Sequence, residues 1–247
     1  MKKPAVVSPF DDVTQIACVF DTPVVVKGKT WLPVSEFIVW VFTTWLAGMR
    51  REERTLFQRM GVGLLTMPII SGLEWCHNFA HAAAAHFIGK PMDAMRILWG
   101  TPMVVYYDIN DTSVTPRQHI FRALGGPLFN AALLPIAFLL RSRTDPEHIT
   151  RDLADTAVGM NAFLCSVSLL PIPGIDGGPI LKWSLVERGS TPEEADEGVR
   201  KVNGLLGVCL GIVSAIAFKK KRGFIGGFMA LLSGLALAIG SGLLREQ

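Results

Sequence analysis

Long apolar blocks separated by short charged clusters set the pattern of this chain. From Thr30 to Met49 only Glu36 is charged, and the cluster Arg50-Arg51-Glu52-Glu53-Arg54 ends the run. A helix needs about 20 residues to cross a hydrocarbon core, so this block predicts a first membrane helix carrying Trp31, Trp40 and Trp45 in or near it. Met60 to Gly89 is a 30-residue run holding one Glu and three His. That is longer than one perpendicular crossing requires, so the second helix is predicted to be tilted, broken or sheltered by protein, with Pro68 as a kink site. Ala123–Leu140 predicts a third helix, ended by Arg141 and Arg143. A fourth, Thr156–Ile175, is interrupted by Pro171, Pro173 and Gly174, with Asp176-Gly177-Gly178-Pro179 at the break. Non-helical backbone at membrane depth persists only where protein or a wet cavity satisfies it, which makes this break a candidate site. Val202–Phe218 and Gly223–Leu244 predict two last helices, in which Gly207/Gly211 and Gly223/Gly227 have the spacing that permits close helix approach.

Between the second and third blocks the pattern changes. Met95–Gly100 and Met103–Tyr107 meet at Gly100-Thr101-Pro102 and predict a β-hairpin. Residues 1–29 mix β-branched residues with Pro, Asp and Lys and predict an extramembrane segment with a strand or two. An acidic loop (Glu187, Glu193, Glu194, Asp196, Glu197) is expected before the last two helices. The predicted fold is an all-α polytopic membrane protein of about six transmembrane helices, with a small β-hairpin or sheet between the second and third. Its expected parts are residues 1–29, the first helix and basic loop over 30–55, a core over 60–190, and two C-terminal helices over 191–247.

Composition supports this class. Of 247 residues, 50% are hydrophobic and 18% charged, against roughly 25% charge in soluble domains. The apolar residues are pooled in blocks rather than spread. No cleavable signal peptide is expected, since Met1-Lys2-Lys3 leads to Pro4 and then Asp11 and Asp12. The net charge of +3 falls in loops, which argues against nucleic-acid binding. Cys18, Cys76, Cys165 and Cys209 form neither a C-x-x-C motif nor a disulfide framework and read as apolar fillers. Cationic loops after the first, third and fifth helices would share one side of the bilayer, the cytoplasmic one, with both termini outward. Lys2, Lys3, Lys27 and Lys29 count against that orientation. The expected location is the plasma membrane of a prokaryote.

The chemistry concentrates in Glu74-Trp75-Cys76-His77-Asn78-Phe79-Ala80-His81. On a helix His81 lies about 40° round from His77, whereas Asn78 lies about 100° round, so the two imidazoles aim together. Such a pair reads either as two hydrogen-bonded core histidines or as half of a metal site. Zinc needs a further ligand and an open position to catalyse. Asp176 is the isolated acid at the broken fourth helix, beside two glycines that let backbone approach; its alternative reading is a helix cap. A His, His, Asp set with one open position suits a metal hydrolase.

With these residues the chain resembles the site-2 protease family of intramembrane zinc metalloproteases, over roughly residues 60–190. His77-Asn78-Phe79-Ala80-His81 is similar to the family's H-E-x-x-H helix. Leu124-Gly125-Gly126-Pro127-Leu128-Phe129-Asn130, after Thr115-Pro116-Arg117-Gln118, is similar to its G-P-x-x-N segment. Leu170-Pro171-Ile172-Pro173-Gly174-Ile175-Asp176-Gly177-Gly178 is similar to the P-x-x-x-L-D-G-G segment. The resemblance implies Zn2+ held by His77, His81 and Asp176, a transmembrane protein as substrate, and substrate-facing roles for Gly126, Pro127, Asn130 and Ser168. By their chemistry alone, Asn130 and Asn161 read as helix–helix hydrogen bonders. The 95–107 hairpin would offer an edge to which an unwound substrate adds as a strand.

Two positions depart from the family. Asn78 stands where the general base, a Glu, is expected, and Ser168 where an Asn orients substrate. General acid–base help is worth ~10²–10⁴ in rate, so the first departure is severe. Three readings of it stand open: a pseudoprotease that binds or regulates transmembrane partners, a chain altered to trap substrate, or a different base. Glu74 is the candidate base, one turn before His77 and about 40° from Asn78 around the helix; its alternative role is a hydrogen bond to a His or a neighbouring helix. His86, about 140° round from His81, reads as facing a loop or an interfacial partner. A transporter, the third class that broken helices suggest, lacks the expected internal repeat.

Overall fold

The computed structural model describes residues 12–244. Part of the expected 1–29 segment, with Lys2 and Lys3, lies outside the described residues. The chain forms two compact units, one of residues up to 109 with 124–168, the other of 110–123 with residues from 169 onward.

The first unit holds four strands, β1 Thr14–Val19, β2 Thr22–Val26, β3 Ala94–Leu98 and β4 Thr101–Val105, in one sheet ordered β1-β2-β3-β4. Two of them precede every helix, so the sheet is not built only between the second and third helices as the sequence pattern suggests. Both hairpins turn through residues with positive φ, Phe20 (51°) with Asp21 (59°), and Trp99 (56°) with Gly100 (103°). Positive φ at both central positions matches the right-handed twist of the flanking strands. The central pairing is parallel, Val24 opposite Met95 and Val26 opposite Ile97.

Helices α1 (Val34–Arg50) and α2 (Leu56–Phe87) follow β2. Thr55 and Gln58 form a capping box at the start of α2. The two helices touch where Gly63 has no side chain. A Cβ there would lie 2.4 Å from Thr44 Oγ1, and Thr43 Oγ1 donates to the Gly63 carbonyl at 3.1 Å. The sheet covers the C-terminal half of α2, where Ala82 and Ala85 pack with Val24, Met92 and Met95, flanked by Trp75 and Phe79. The start of α1 is fastened to the β3–β4 turn, as Ser35 N and Oγ both donate to Trp99 O. Gly100 leaves room for the Glu36 carboxylate, which a Cβ there would meet at 2.0 Å.

α3 (Pro116–Ser142) begins at Pro116, before the expected Ala123, because Thr115 and Gln118 bond reciprocally at its start. α4 (Ile149–Ser166) begins seven residues before the expected Thr156. Its charged first turns are bound by protein rather than by water. Asp152, 2% exposed, meets Arg54 through both carboxylate oxygens and Arg50 at 3.7 Å, and Asp155 meets Arg141.

In the second unit, α5 (Gly177–Glu187), α6 (Pro192–Lys219) and α7 (Gly223–Gly240) follow a non-helical break. The expected acidic loop is mostly the start of α6, capped reciprocally by Thr191 and Glu194. α6 and α7 pack closely. Gly207 and Gly211 face α7 as expected, and Ser233 Oγ donates to Gly207 O at 2.7 Å. On α7 the contact uses Gly226, Ser233 and Gly240, whereas a Cβ on Gly223 or Gly227 would meet nothing within 4 Å. Among the described residues four helices, α2, α3, α6 and α7, are long and apolar enough to cross a membrane. That is fewer than the expected six, since α1 has 17 residues and α4 opens with charge.

Candidate metal centre

The i, i+4 spacing on α2 delivers what the periodicity predicts. His77 and His81 are 6% and 5% exposed, with their Nε2 atoms 3.1 Å apart and their rings nearly perpendicular at 79°. Two nitrogens each about 2.05 Å from a tetrahedral ion lie about 3.3 Å apart. The pair therefore has the spread of a zinc chelate with little adjustment. Gly126 of α3 makes the space, since a Cβ there would lie 2.5 Å from both Nε2 atoms. Its neighbour Gly125 lets α3 approach the Ala80 carbonyl, which a Cβ would meet at 2.6 Å.

His77 is oriented from behind. Its Nδ1 lies 2.7 Å from Asn130 Oδ1, Asn130 Nδ2 donates to Asn161 Oδ1 at 2.9 Å, and Asn161 Nδ2 donates to Ala157 O at 2.8 Å. A carbonyl can only accept, so the Ala157 end fixes the direction of both amides. His77 must then carry its proton on Nδ1 and present a lone pair at Nε2, the form a metal ligand needs. All three side chains are buried. Asn130, expected to face substrate, is instead 0% exposed and engaged at both ends of its amide. Asn161 joins α4 to this chain, the helix–helix bond expected of it.

Asn78 Nδ2 donates to Glu74 O at 3.0 Å, so its amide is tied to its own helix one turn back. Glu74 is half-buried and within electrostatic reach of His77 and Glu36. Ser168 Oγ donates to Leu164 O, back into the last turn of α4. His86 is exposed and its Nδ1 pairs with Asp21 at 2.8 Å, the loop contact its position predicts.

In the second unit, Asp176 stands at the residue before α5 with helical φ and ψ and makes no capping bond, which removes the cap reading. The glycines after it are required by crowding. A Cβ on Gly177 would lie 2.2 Å from Leu170 O, and one on Gly178 2.6 Å from Ile172 O. α5 is held beyond this point by buried Lys182, which bonds Asn110 Oδ1 at 2.8 Å and Asp196 at 2.7 Å. Trp183 stacks on His119 with ring centroids 3.6 Å apart. Lys182, Trp183 and His119 belong to no motif that marks them in the sequence.

No protein-family profile matches the chain. Over 71 residues it is 35% identical to a Methanocaldococcus jannaschii protein, MJ0611, whose provisional name is zinc metalloprotease. That stretch is 29% of this chain and 37% of the relative, so the match spans little more than a third of that relative's length. The site-2 protease from the same organism superposes with a TM-score of 0.52, covering 91% of this chain and 95% of that one at 11% identity, a likeness of fold. Helices apolar and long enough to cross a membrane and a buried histidine pair thus stand beside a short sequence likeness to a zinc metalloprotease and a fold likeness to a site-2 protease.

Proposed function

We propose that the chain is an intramembrane zinc metalloprotease-like protein whose His77, His81 and Asp176 each give one ligand atom to a single zinc ion. The observation that carries this reading is the pair of Nε2 atoms 3.1 Å apart, opened by Gly126 and oriented through Asn130. When bound, zinc polarises a peptide carbonyl and makes water acidic enough to attack near neutral pH. The substrate is a transmembrane protein unwound to extended chain. β4, at the end of the sheet order, offers it backbone partners that lipid cannot supply. The protein acts in the bilayer as a multi-pass chain, with α1 and α4 crossing beside the four longer helices.

Asn78 cannot accept the proton that hydrolysis releases. Turnover then depends on Glu74, whose carboxylate lies one turn earlier on α2, or it is lost. In the second case the chain is a pseudoprotease that grips transmembrane partners. Purified protein is expected to hold about one equivalent of zinc, lost in His77→Ala and in Asp176→Asn. Metal retained in both variants would end the proposal. Cleavage of a transmembrane reporter then separates the two readings. Activity abolished by Glu74→Gln makes Glu74 the base, whereas activity arising only in Asn78→Glu marks the natural chain as a binder.

A further inference from the structure

We infer that Asn203 on α6 is a positioning residue for Asp176, an assignment that rests on the metal centre proposed above. Between Pro171 and Asp176 the backbone is not helical, so its carbonyls need partners from elsewhere. Pro173 has no N–H to give, Ile172 N donates to Leu170 O, and Ile175 N donates to Ile172 O. The Pro171 carbonyl is met from α6, where Asn203 Nδ2 donates to it at 2.6 Å and also to Val199 O at 2.9 Å.

Both acceptors are carbonyls, so the nitrogen of the amide must face them and Oδ1 must face away. Asn203 is 0% exposed, and its Oδ1 has no hydrogen-bond partner among the described residues. An unpaired buried acceptor is unfavourable by about as much as such hydrogen bonds contribute, so the amide adds little net stability. An apolar side chain of similar shape would spare that penalty. It would not hold the Pro171 carbonyl. Five residues later Asp176 leaves the break with no capping bond of its own, so the anchored carbonyl sets the path along which its carboxylate is presented.

The test uses the full chain in detergent, with zinc affinity measured by chelator competition and the visible spectrum of the cobalt-substituted protein as a second readout. Asn203→Leu is expected to weaken zinc binding about 10- to 100-fold and to shift the cobalt spectrum toward that of Asp176→Asn. Ser233→Ala, which removes a buried hydrogen bond between α7 and α6, is expected to change neither. Unaltered affinity and spectrum in a folded Asn203→Leu protein would overturn the inference while leaving the metal centre standing. Should that variant not fold, Asn203→Ser takes its place with the same two outcomes, because a serine hydroxyl bonds back to its own helix. A wild-type protein without zinc would overturn the metal centre itself, and this inference with it.

Discussion

At the scale of single residues, a lone missing methyl group matters most. Gly126→Ala would place a carbon 2.5 Å from the Nε2 atoms of both histidines, so the zinc binding proposed above should fall below detection even if the helices still assemble. Equilibrium dialysis against zinc, beside a circular dichroism spectrum, checks this. Asn161→Leu acts at longer range, freeing the Asn130 amide to rotate and His77 to change tautomer. A 10- to 100-fold loss of zinc affinity is expected, and equal affinity in the two proteins would refute the relay. The histidine pair was legible in the sequence because helical periodicity alone aims both rings one way. Gly126 and Asn130 were visible as letters of a motif, but the task of Asn130 depends on where α3 crosses α2, which no local pattern records. Asn203 carried no signal at all; an Asn in an apolar helix looks the same whether it binds a neighbouring helix or a distant carbonyl.

At the scale of elements, boundaries failed where charge was taken for solvent exposure. α4 starts with Arg151-Asp152-Leu153-Ala154-Asp155, which reads as loop, yet Asp152 is enclosed by Arg54 and Arg50. Removing one partner of a buried pair strands the other, a loss of about 3–5 kcal/mol. Asp152→Asn should therefore lower the thermal unfolding midpoint in detergent far more than Glu53→Gln, a change at an exposed site beside Arg54 on the α1–α2 loop; equal shifts would show the pair to be ornamental. The start of α6 misled for a related reason, since its acids suit the positive end of a helix and cap it as well as they suit a loop. The β3–β4 hairpin was legible, although its turn is Trp99-Gly100 and the expected turn residues Thr101 and Pro102 already pair within β4. Its partnership with β2 was not, because pairing across about seventy residues leaves no local trace.

At the scale of the whole molecule, contacts between loops constrain which ends share a compartment. Arg51, after α1, donates to the carbonyls of Pro146, Glu147 and His148, before α4, so these two cationic loops meet at one end of the first unit. In a cysteine-free background, Glu52→Cys and Glu147→Cys should react with a membrane-impermeant thiol reagent from the same side, and Asp21→Cys and Trp99→Cys from the other. The parallel ladder between β2 and β3 adds a rule of parity. Strands that share hydrogen bonds cannot be divided by lipid, so the chain between Val26 and Ala94 must traverse the bilayer an even number of times. Once α2 traverses, α1 must do so too. Its 17 residues span only about 26 Å at 1.5 Å per residue, short of a hydrocarbon core of about 30 Å, so the lipid around α1 has to be pinched thin to meet it.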